Sequence, residues 1–230
     1  MKPTKAKPAP LAKWASQLSE GLDAMGLALS AAQQQCLIDY LALLYKWNKA
    51  YNLTAVRDPQ HMVSRQLLDS LSILPWVRGP RVLDVGTGPG LPGIPLAVAL
   101  PDTEFVLLDS NGKKTRFVQQ AILELGLDNV GVRQERVEAM ADEGGFNTIT
   151  SRAFADLHRM LALTAHLRAP GGQWAAMKAS LDEFDPRKLA PGLDWRVEEL
   201  QVPGETGRRN LVLVYPTGES PHGQDQQGRL

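Results

Sequence analysis

Residues 82–90, Val82-Leu83-Asp84-Val85-Gly86-Thr87-Gly88-Pro89-Gly90, are the strongest indication of the fold of this chain. The first half of this stretch is apolar enough to be a buried strand, and it begins one residue after the chain-breaking pair Gly79-Pro80. Its second half supplies three glycines, which allow a tight turn and the close approach of a ligand to the backbone. A buried strand that runs into such a turn is typical of the first unit of a doubly wound sheet, where ligands bind beyond the carboxyl ends of the strands.

The sequence after this stretch alternates between short apolar runs and amphipathic stretches. We predict strands at residues 81–85, 105–109, 130–133, 146–151, 174–178, 195–202 and 210–215, and helices at residues 91–100, 113–125 and 157–167. Helical connections favour right-handed crossovers and a parallel sheet that is covered on both faces. The last two strands have no helix between them, so we expect them to pair antiparallel. The predicted fold class is therefore α/β: five β-α units closed by a hairpin, in a Rossmann-like, doubly wound sheet of seven strands with the last strand antiparallel.

An N-terminal helical cap is predicted at residues 11–78, ahead of a ligand-binding domain at residues 79–216. Ser30 and Gln33 form the pattern of a capping box, and Asp58-Pro59 reads as an N-cap followed by a first-turn proline. Residues 1–10 and 217–230 have little apolar surface to bury, so we predict disordered tails there.

The composition limits the classes of partner. The 25 basic residues balance the 25 acidic residues, so a polyanionic substrate would require the basic residues to be concentrated on one face. The lone Cys36 excludes an internal disulfide framework and a cysteine-rich zinc site, and the other metal-ligating residues do not cluster in the sequence. No apolar run reaches the roughly 18–20 residues of a membrane span, and the N-terminus lacks the apolar core of a signal peptide. We therefore expect a cytoplasmic protein with no membrane or metal partner.

Two cofactors compete for the glycine turn on spacing alone. Gly88, Gly90 and Gly93 formally match the dinucleotide fingerprint G-x-G-x-x-G. Asp84 argues against a pyrophosphate at this place, because a carboxylate beside two phosphates is electrostatically unfavourable. The same carboxylate suits S-adenosylmethionine, which carries an ammonium and a sulfonium. Asp109, at the end of the second predicted strand, suits the ribose hydroxyls of either cofactor.

The turn and several further blocks of sequence resemble one known family. The matching blocks are residues 52–59, 67–71, 84–93, 108–110, 113–114, 136–138 and 151–154. Together they resemble the ribosomal small-subunit methyltransferase G family, also called glucose-inhibited division protein B, over about residues 22–215. The resemblance implies a class I S-adenosylmethionine methyltransferase that modifies N7 of guanine 527, in the 530 loop of 16S ribosomal RNA.

The resemblance also implies roles for individual residues. It places Gly86 and Leu91 against the cofactor at the first turn, Val137 and Glu138 around the adenine, and Arg152 at the cofactor-facing substrate site. With the residues argued above, the candidate cofactor-binding set is Asp84, Gly86, Gly88, Leu91, Asp109, Val137, Glu138 and Arg152. Glu138 could equally be an acidic residue favoured by a helix start. No catalytic residue is assigned, and Arg152 is the nearest candidate.

Four basic residues are candidates for RNA contact. Lys178 and Arg209 resemble family positions expected near the RNA, and Lys113 and Arg65 belong to a basic set that could line the carboxyl edge of the sheet. The chain departs from the family pattern at Gln66, where a histidine is usual, and at Ala179, where a glycine is usual.

The implied chemistry needs no general base, because guanine N7 carries a free lone pair and no proton. Orientation should supply most of the rate, and Phe154 is a candidate stacking platform, although core packing explains it equally well. Neutral net charge favours the assembled small subunit over free RNA as the substrate, and we expect a monomer. Three alternatives remain. The first is a methyltransferase of the same fold that acts on another RNA, on a protein or on a small molecule. The others are a non-catalytic RNA-binding or assembly module and an NAD-linked oxidoreductase.

Overall fold

The computed structural model describes residues 9–152, 154 and 156–219. The predicted disordered tails therefore lie outside the described residues, except at residues 9–10 and 217–219. The described strands are β1 (Arg81–Val85), β2 (Glu104–Leu108), β3 (Val130–Arg133), β4 (Phe146–Ser151), β5 (Arg168–Lys178), β6 (Leu193–Glu199) and β7 (Asn210–Pro216).

These strands form one sheet in the order β3-β2-β1-β4-β5-β7-β6. β1 to β5 pair in parallel, whereas β7 lies antiparallel between β5 and β6. The predicted sheet of seven strands with an antiparallel last strand is confirmed. β1 has β2 on one side and β4 on the other, so the strand order reverses at β1. Ligands bind at such a reversal, beyond the carboxyl ends of the strands.

The α-helices of the described residues are α1 (Leu11–Met25), α2 (Ala31–Tyr51), α3 (Asp69–Leu71), α4 (Gly93–Ala99), α5 (Gly112–Leu125) and α6 (Leu157–Thr164). The predicted capping box of Ser30 and Gln33 starts α2, and Gly126 ends α5 in the left-handed conformation. Asp58 caps a short 3₁₀ helix, which a π-helix (Val63–Leu68) continues into α3. π-helical turns are rare and occur frequently at functional sites.

The prediction of five β-α units is wrong at two connections, because the segments from β3 to β4 and from β5 to β6 contain no α-helix. Residues 134–145, between β3 and β4, contain a single 3₁₀ turn (Val137–Ala139) and no α-helix, so the five predicted β-α units do not all have a helix. Val137 and Met140 are the buried apolar side chains of this segment. Two anchors three residues apart hold one turn against the sheet, but they do not supply the apolar stripe that a longer helix needs.

β5 also starts earlier than predicted, at Arg168 rather than Trp174. Pro170-Gly171-Gly172 was expected to end the preceding helix and instead lies within the strand, beside a register shift against β4. A Cβ on Gly172 would approach the carbonyl oxygen of Phe146 to 2.7 Å, so these glycines accommodate a bulge.

The apolar core lies on both faces of the sheet. On one face, Trp14, Tyr40 and Leu67 of the cap belong to the same buried cluster as Phe105 and Phe117. On the other face, α6 packs over β4 and β5. The cap is thus anchored in the core, and its π-helix and α3 contact Arg152, which follows the carboxyl end of β4. In the part of the chain that the structure describes, no helix is both long and apolar enough to span a bilayer.

Candidate active site

The glycine turn follows β1 directly and contains glycines of two kinds. Gly86 and Gly88 have positive φ angles of 70° and 60°, and a Cβ on either would meet no atom nearer than 4.0 Å. A Cβ on Gly90 would instead collide with Ile94, and one on Gly93 with Leu107. The first two glycines therefore leave space for a ligand above the turn, whereas the other two allow the turn and α4 to pack.

Asp84 lies beneath the turn and is fully buried. Its Oδ2 accepts hydrogen bonds from the Thr87 hydroxyl (2.6 Å) and from the backbone N–H of Gly93 (2.9 Å). Its Oδ1 is buried and has no hydrogen-bond partner among the described residues. Burial raises the pKa of this carboxyl to about 6, although both hydrogen bonds and the charge of Arg152 lower it.

This position of Asp84 bears on the choice of cofactor. The first N–H of α4, at Gly93, points at a carboxylate oxygen. A dinucleotide requires such an N–H for its pyrophosphate. The geometry therefore disfavours the dinucleotide register through Gly88, Gly90 and Gly93. The unpaired Oδ1 of Asp84 favours a ligand with a cationic end.

Asp109 connects the end of β2 to the turn. Its Oδ2 accepts a hydrogen bond from the N–H of Gly88 (2.9 Å), its Oδ1 accepts one from the N–H of Asn111 (2.8 Å), and Lys114 Nζ lies 3.8 Å from Oδ2. Each carboxylate oxygen has two lone pairs, so Asp109 can still accept ribose hydroxyls. The structure thus brings Asp84, Gly86, Gly88 and Asp109 together.

The other proposed cofactor contacts have different environments. The N–H of Leu91 closes the turn by donating to Thr87 O (2.8 Å), while the Leu91 side chain is buried in the core. Val137 is buried and Glu138 is exposed in the 3₁₀ turn after β3. Whether these three side chains contact the cofactor stays a prediction.

A cavity of about 270 Å³ lies between the cap and the carboxyl ends of β4 and β5. Its lining includes the charged or amide side chains of Arg65, Gln66, Asp69, Arg152, Lys178 and Arg209. Three of the four candidate RNA-binding residues therefore meet in one place, together with Arg152. The fourth, Lys113, is exposed at the start of α5 and does not line this cavity.

Arg152 is held by the cap. Its Nη1 donates to the carbonyl of Arg65 (2.9 Å) and to Asp69 Oδ2 (3.3 Å), and its Nη2 donates to Gln66 Oε1 (2.9 Å). Gln66 is itself buried, and its Nε2 donates to the Thr54 hydroxyl (2.8 Å). The guanidinium is thus fixed by acceptors on the π-helix and α3, next to the carboxyl end of β4. Ala153, which follows in the block that matched the family, lies outside the described residues.

Arg209 and Arg65 complete an ion network. Arg209 Nε lies 3.2 Å from Asp69 Oδ1, and Arg209 Nη2 lies 3.3 Å from Glu205 Oε2. Arg65 Nε lies 3.1 Å from Glu205 Oε1. With Arg152, three guanidiniums thus share two carboxylates, which leaves an excess of positive charge at the cavity.

Lys178 adds a further cation at the end of β5. Its Nζ donates to the carbonyl of Phe154 (2.6 Å), and burial lowers the pKa of its ammonium. The Phe154 side chain is partly buried and packs against the core, as the alternative interpretation of that residue expected. Sequence reasoning gave no role to Asp69 or Glu205. Asp69 could have been found from the sequence, because it is a charged residue on the apolar face of the helix before β1.

Metal ions have no candidate site in the described part of the chain, because no three His, Cys, Asp or Glu side chains cluster there.

Comparison with known proteins identifies the family. A family model described as rRNA small subunit methyltransferase G, GidB, matches residues 33–212. The ribosomal RNA small subunit methyltransferase G of Marinobacter nauticus is 54% identical over 205 residues, which cover 88% of this chain and 95% of that protein. The protein of the same name from Pseudomonas aeruginosa is 50% identical, with 88% and 96% covered.

Solved structures of methyltransferases have the same fold at low sequence identity. A putative O-methyltransferase from Klebsiella pneumoniae superposes with a TM-score of 0.58 at 16% identity, covering 90% of this chain and 98% of that chain. The O-methyltransferase TomG from Streptomyces achromogenes, solved in complex with SAM, gives 0.56 at 16% identity, with 91% and 99% covered. The fold is that of the class I S-adenosylmethionine methyltransferases, and the chain belongs to the ribosomal RNA small subunit methyltransferase G family.

Proposed function

We propose that this chain transfers the methyl group of S-adenosylmethionine to N7 of a guanine in the 530 loop of 16S ribosomal RNA, within the small ribosomal subunit. The observation that carries the proposal is the position of Arg152. Its guanidinium lines the cation-rich cavity, and it directly follows β4, which pairs with β1, the strand that carries Asp84 and leads into the open glycine turn. A cofactor on the turn and a base in the cavity would therefore be neighbours. The turn and the cavity come from one chain, which supports action as a monomer.

The residues around the turn fit S-adenosylmethionine. Asp84 Oδ1 and Ser151 Oγ, on the adjacent strands β1 and β4, are buried and have no hydrogen-bond partner among the described residues. Buried polar atoms of this kind need a partner, and an ammonium group suits the carboxylate oxygen. Gly86 and Gly88 would let the cofactor approach the backbone, and Asp109 would hold its ribose. Leu91, Val137 and Glu138 are the proposed contacts for the remainder of the cofactor. When bound, the cofactor supplies an electrophilic methyl group on a sulfonium.

The cavity is suited to positioning a nucleotide rather than to removing a proton from it. Guanine N7 presents its lone pair directly, so no side chain has to act as a base. Asp69 and Glu205 are both paired with arginines and serve to orient them. The guanidiniums of Arg65, Arg152 and Arg209 present donors that suit phosphate oxygens and the guanine carbonyl oxygen. Rate enhancement then comes from orientation, for which effective molarities of about 10⁵–10⁸ M are known.

The charges of the cavity explain how a chain of zero formal net charge can bind RNA. Four basic residues, Lys178 and the three arginines, line the cavity together at the carboxyl edge of the sheet. Each phosphate contact weakens with rising salt, so RNA affinity should fall steeply between low and physiological ionic strength.

Methyl transfer from radiolabelled S-adenosylmethionine tests the proposal. Small ribosomal subunits that lack the modification are the substrate, and the RNA is then digested to nucleosides. We expect label in 7-methylguanosine. An Arg152→Ala variant should lose most of the transfer even at S-adenosylmethionine concentrations that calorimetry shows to be saturating for it. Cofactor binding without any incorporation would favour the non-catalytic module, label in protein would indicate another substrate, and calorimetric binding of NAD alone would indicate an oxidoreductase.

A further inference from the structure

Tyr51, the last residue of α2, is an exposed aromatic side chain held in a fixed place. Half of the residue's surface is accessible to solvent (50%). Its ring lies against Trp47, with ring centroids 5.3 Å apart and planes inclined by 31°. Trp47 in turn packs edge-on against Phe117 of α5, at 5.7 Å. The ring of Tyr51 therefore continues an aromatic row that starts in the core and ends at the surface.

The packing of α2 places Tyr51 at the carboxyl edge of the sheet. The two helices run antiparallel, because Trp47, late in α2, meets Phe117 in the first half of α5, while Ala32, early in α2, shares a groove with Leu125. α5 begins just after β2, where Asp109 meets the glycine turn. The end of α2 that carries Tyr51 therefore lies at the same edge as the turn.

Tyr51 is close along the chain to residues of the cavity, and two further basic residues are exposed at the same edge of the sheet or next to it in sequence. The chain continues from Tyr51 to Thr54 and Val56, which line the cavity, and three residues span at most about 11 Å. Lys113, one helical turn before Phe117, is exposed at the start of α5, which follows Asp109 in the chain. Arg57 is also exposed, and its Nη2 donates to Asn52 Oδ1 (2.9 Å), in the residue that follows Tyr51.

We propose that Tyr51 is a stacking platform for an RNA base that flanks the methylated guanine. The inference rests on the proposed function, because it assigns to the same RNA strand a second contact beside the cavity. Exposed aromatic rings among basic side chains are the means by which proteins bind unpaired bases, and each stacked base contributes binding free energy whatever its identity. Phe154 is less available for this role, because it is partly buried and packs against the core.

A matched set of variants separates the ring from its surroundings. Tyr51→Leu removes the ring and keeps an apolar side chain, while Tyr51→Phe keeps the ring. Trp195→Leu is the control, since Trp195 is also exposed (44%) and also packs on one aromatic ring, that of Phe184, but lies on β6 at the far end of the sheet. S-adenosylmethionine affinity, measured by calorimetry, verifies that each variant is folded.

Fluorescence anisotropy of a labelled single-stranded RNA with the sequence of the 530 loop measures binding. We expect Tyr51→Leu to weaken this binding roughly 5- to 150-fold, the range that corresponds to about 1–3 kcal/mol per stacked base. Both the wild type and Tyr51→Leu should bind RNA more weakly as the salt concentration rises. The ratio of their affinities should change little, because stacking releases no counterions. Tyr51→Phe and Trp195→Leu should bind as the wild type does. In methylation of small subunits, Tyr51→Leu should raise KM and leave kcat and cofactor affinity unchanged.

Three results would overturn the inference. Wild-type RNA affinity and KM in Tyr51→Leu would mean that the ring contacts no base. An equal loss in Tyr51→Phe would assign the effect to the hydroxyl group. A raised KM for whole subunits with unchanged RNA affinity would mean that Tyr51 contacts a ribosomal protein. Failure of the proposed function is distinguishable from all three, because the wild type itself would then transfer no methyl group to the subunits.

Discussion

Replacing the buried Asp84 by asparagine should make the stability of the variant increase relative to that of the wild type as pH rises. The same replacement should weaken cofactor binding. Burial raises the pKa of the Asp84 carboxyl from 3.8 to about 6 in the folded protein. The unfolded chain therefore loses this proton at lower pH than the folded chain does. The resulting penalty on folding begins near pH 4, grows as pH rises, and is complete above about pH 6. At about 1.4 kcal/mol per pH unit between the two pKa values, it reaches about 3 kcal/mol.

Asparagine at this position cannot ionise, and its amide oxygen can keep both hydrogen bonds that Oδ2 accepts, from Thr87 and from Gly93. Its amide nitrogen would take the place of Oδ1, which has no partner in the described structure, at a cost of about 1–3 kcal/mol. That cost does not depend on pH, so the change with pH isolates the charge. Relative to the wild type, we expect Asp84→Asn to gain about 2 kcal/mol between about pH 4.5 and pH 8.

Urea unfolding at several pH values measures this difference in the free energy of unfolding. Thr87→Val is the control, because it removes one of the same hydrogen bonds and leaves the carboxylate in place, so it should show no such gain at high pH. Calorimetry should show that Asp84→Asn binds S-adenosylmethionine at least about tenfold more weakly, since a charge-assisted contact is lost. A stability difference that is constant with pH, or one that favours the wild type as pH rises, would refute the reasoning.

Three further predictions concern the turn and the ion network. Asp69→Asn should lower the free energy of unfolding by about 2 kcal/mol, because it weakens hydrogen bonds to two partly buried guanidiniums. Urea titration measures this loss, and a loss below about 0.5 kcal/mol would mean that the ion network does not stabilise the fold. Gly86→Ala should cost about 1–2 kcal/mol of stability because Gly86 has a positive φ, and it should reduce cofactor affinity because the added Cβ fills the space above the turn. Gly93→Ala, whose Cβ collides with Leu107, should mainly lower stability. Calorimetry and thermal unfolding measure the two effects, and a larger loss of cofactor affinity in Gly93→Ala than in Gly86→Ala would contradict the prediction. Gln66→His should transfer methyl groups as the wild type does at high pH and should lose activity relative to the wild type as pH falls below about 6.5. The reason is that a protonated imidazole offers no acceptor to Arg152. A ratio of variant to wild-type activity that does not change with pH would count against this contact.

The sequence allowed most of the elements to be predicted where their signals are local. The glycine turn, the capping box at Ser30 and the C-cap at Gly126 each depend on residues within one turn of the chain, and the structure has all three. The segment after β3 was predicted less well, because its alternation of polar and apolar residues does not distinguish a loop with two anchors from a short helix. The glycines of β5 were misread because a bulge and a helix end use the same residues.

The site was predicted in part, and the reason is distance along the chain. The resemblance placed Arg152 at the substrate site and Arg209 near the RNA, and Arg65 belonged to a basic set that could line the carboxyl edge of the sheet; all three line one cavity. Asp69, the carboxylate that Arg152 and Arg209 share, lies 83 residues before Arg152, and no local pattern connects the two. The buried position of Asp84, under the turn rather than on it, likewise follows from tertiary packing and could not be read from spacing.

Mass spectrometry of nucleosides from 16S ribosomal RNA tests the central claim most directly. Small subunits that lack the modification are incubated with the purified chain and S-adenosylmethionine, and the methylated fragment is then mapped. We expect one added methyl group per subunit, recovered as 7-methylguanosine from the 530 loop, and much less of it when Arg152→Ala replaces the wild type. A methyl group on another nucleotide, or no methyl group although the wild-type chain binds the cofactor, would contradict the proposed function.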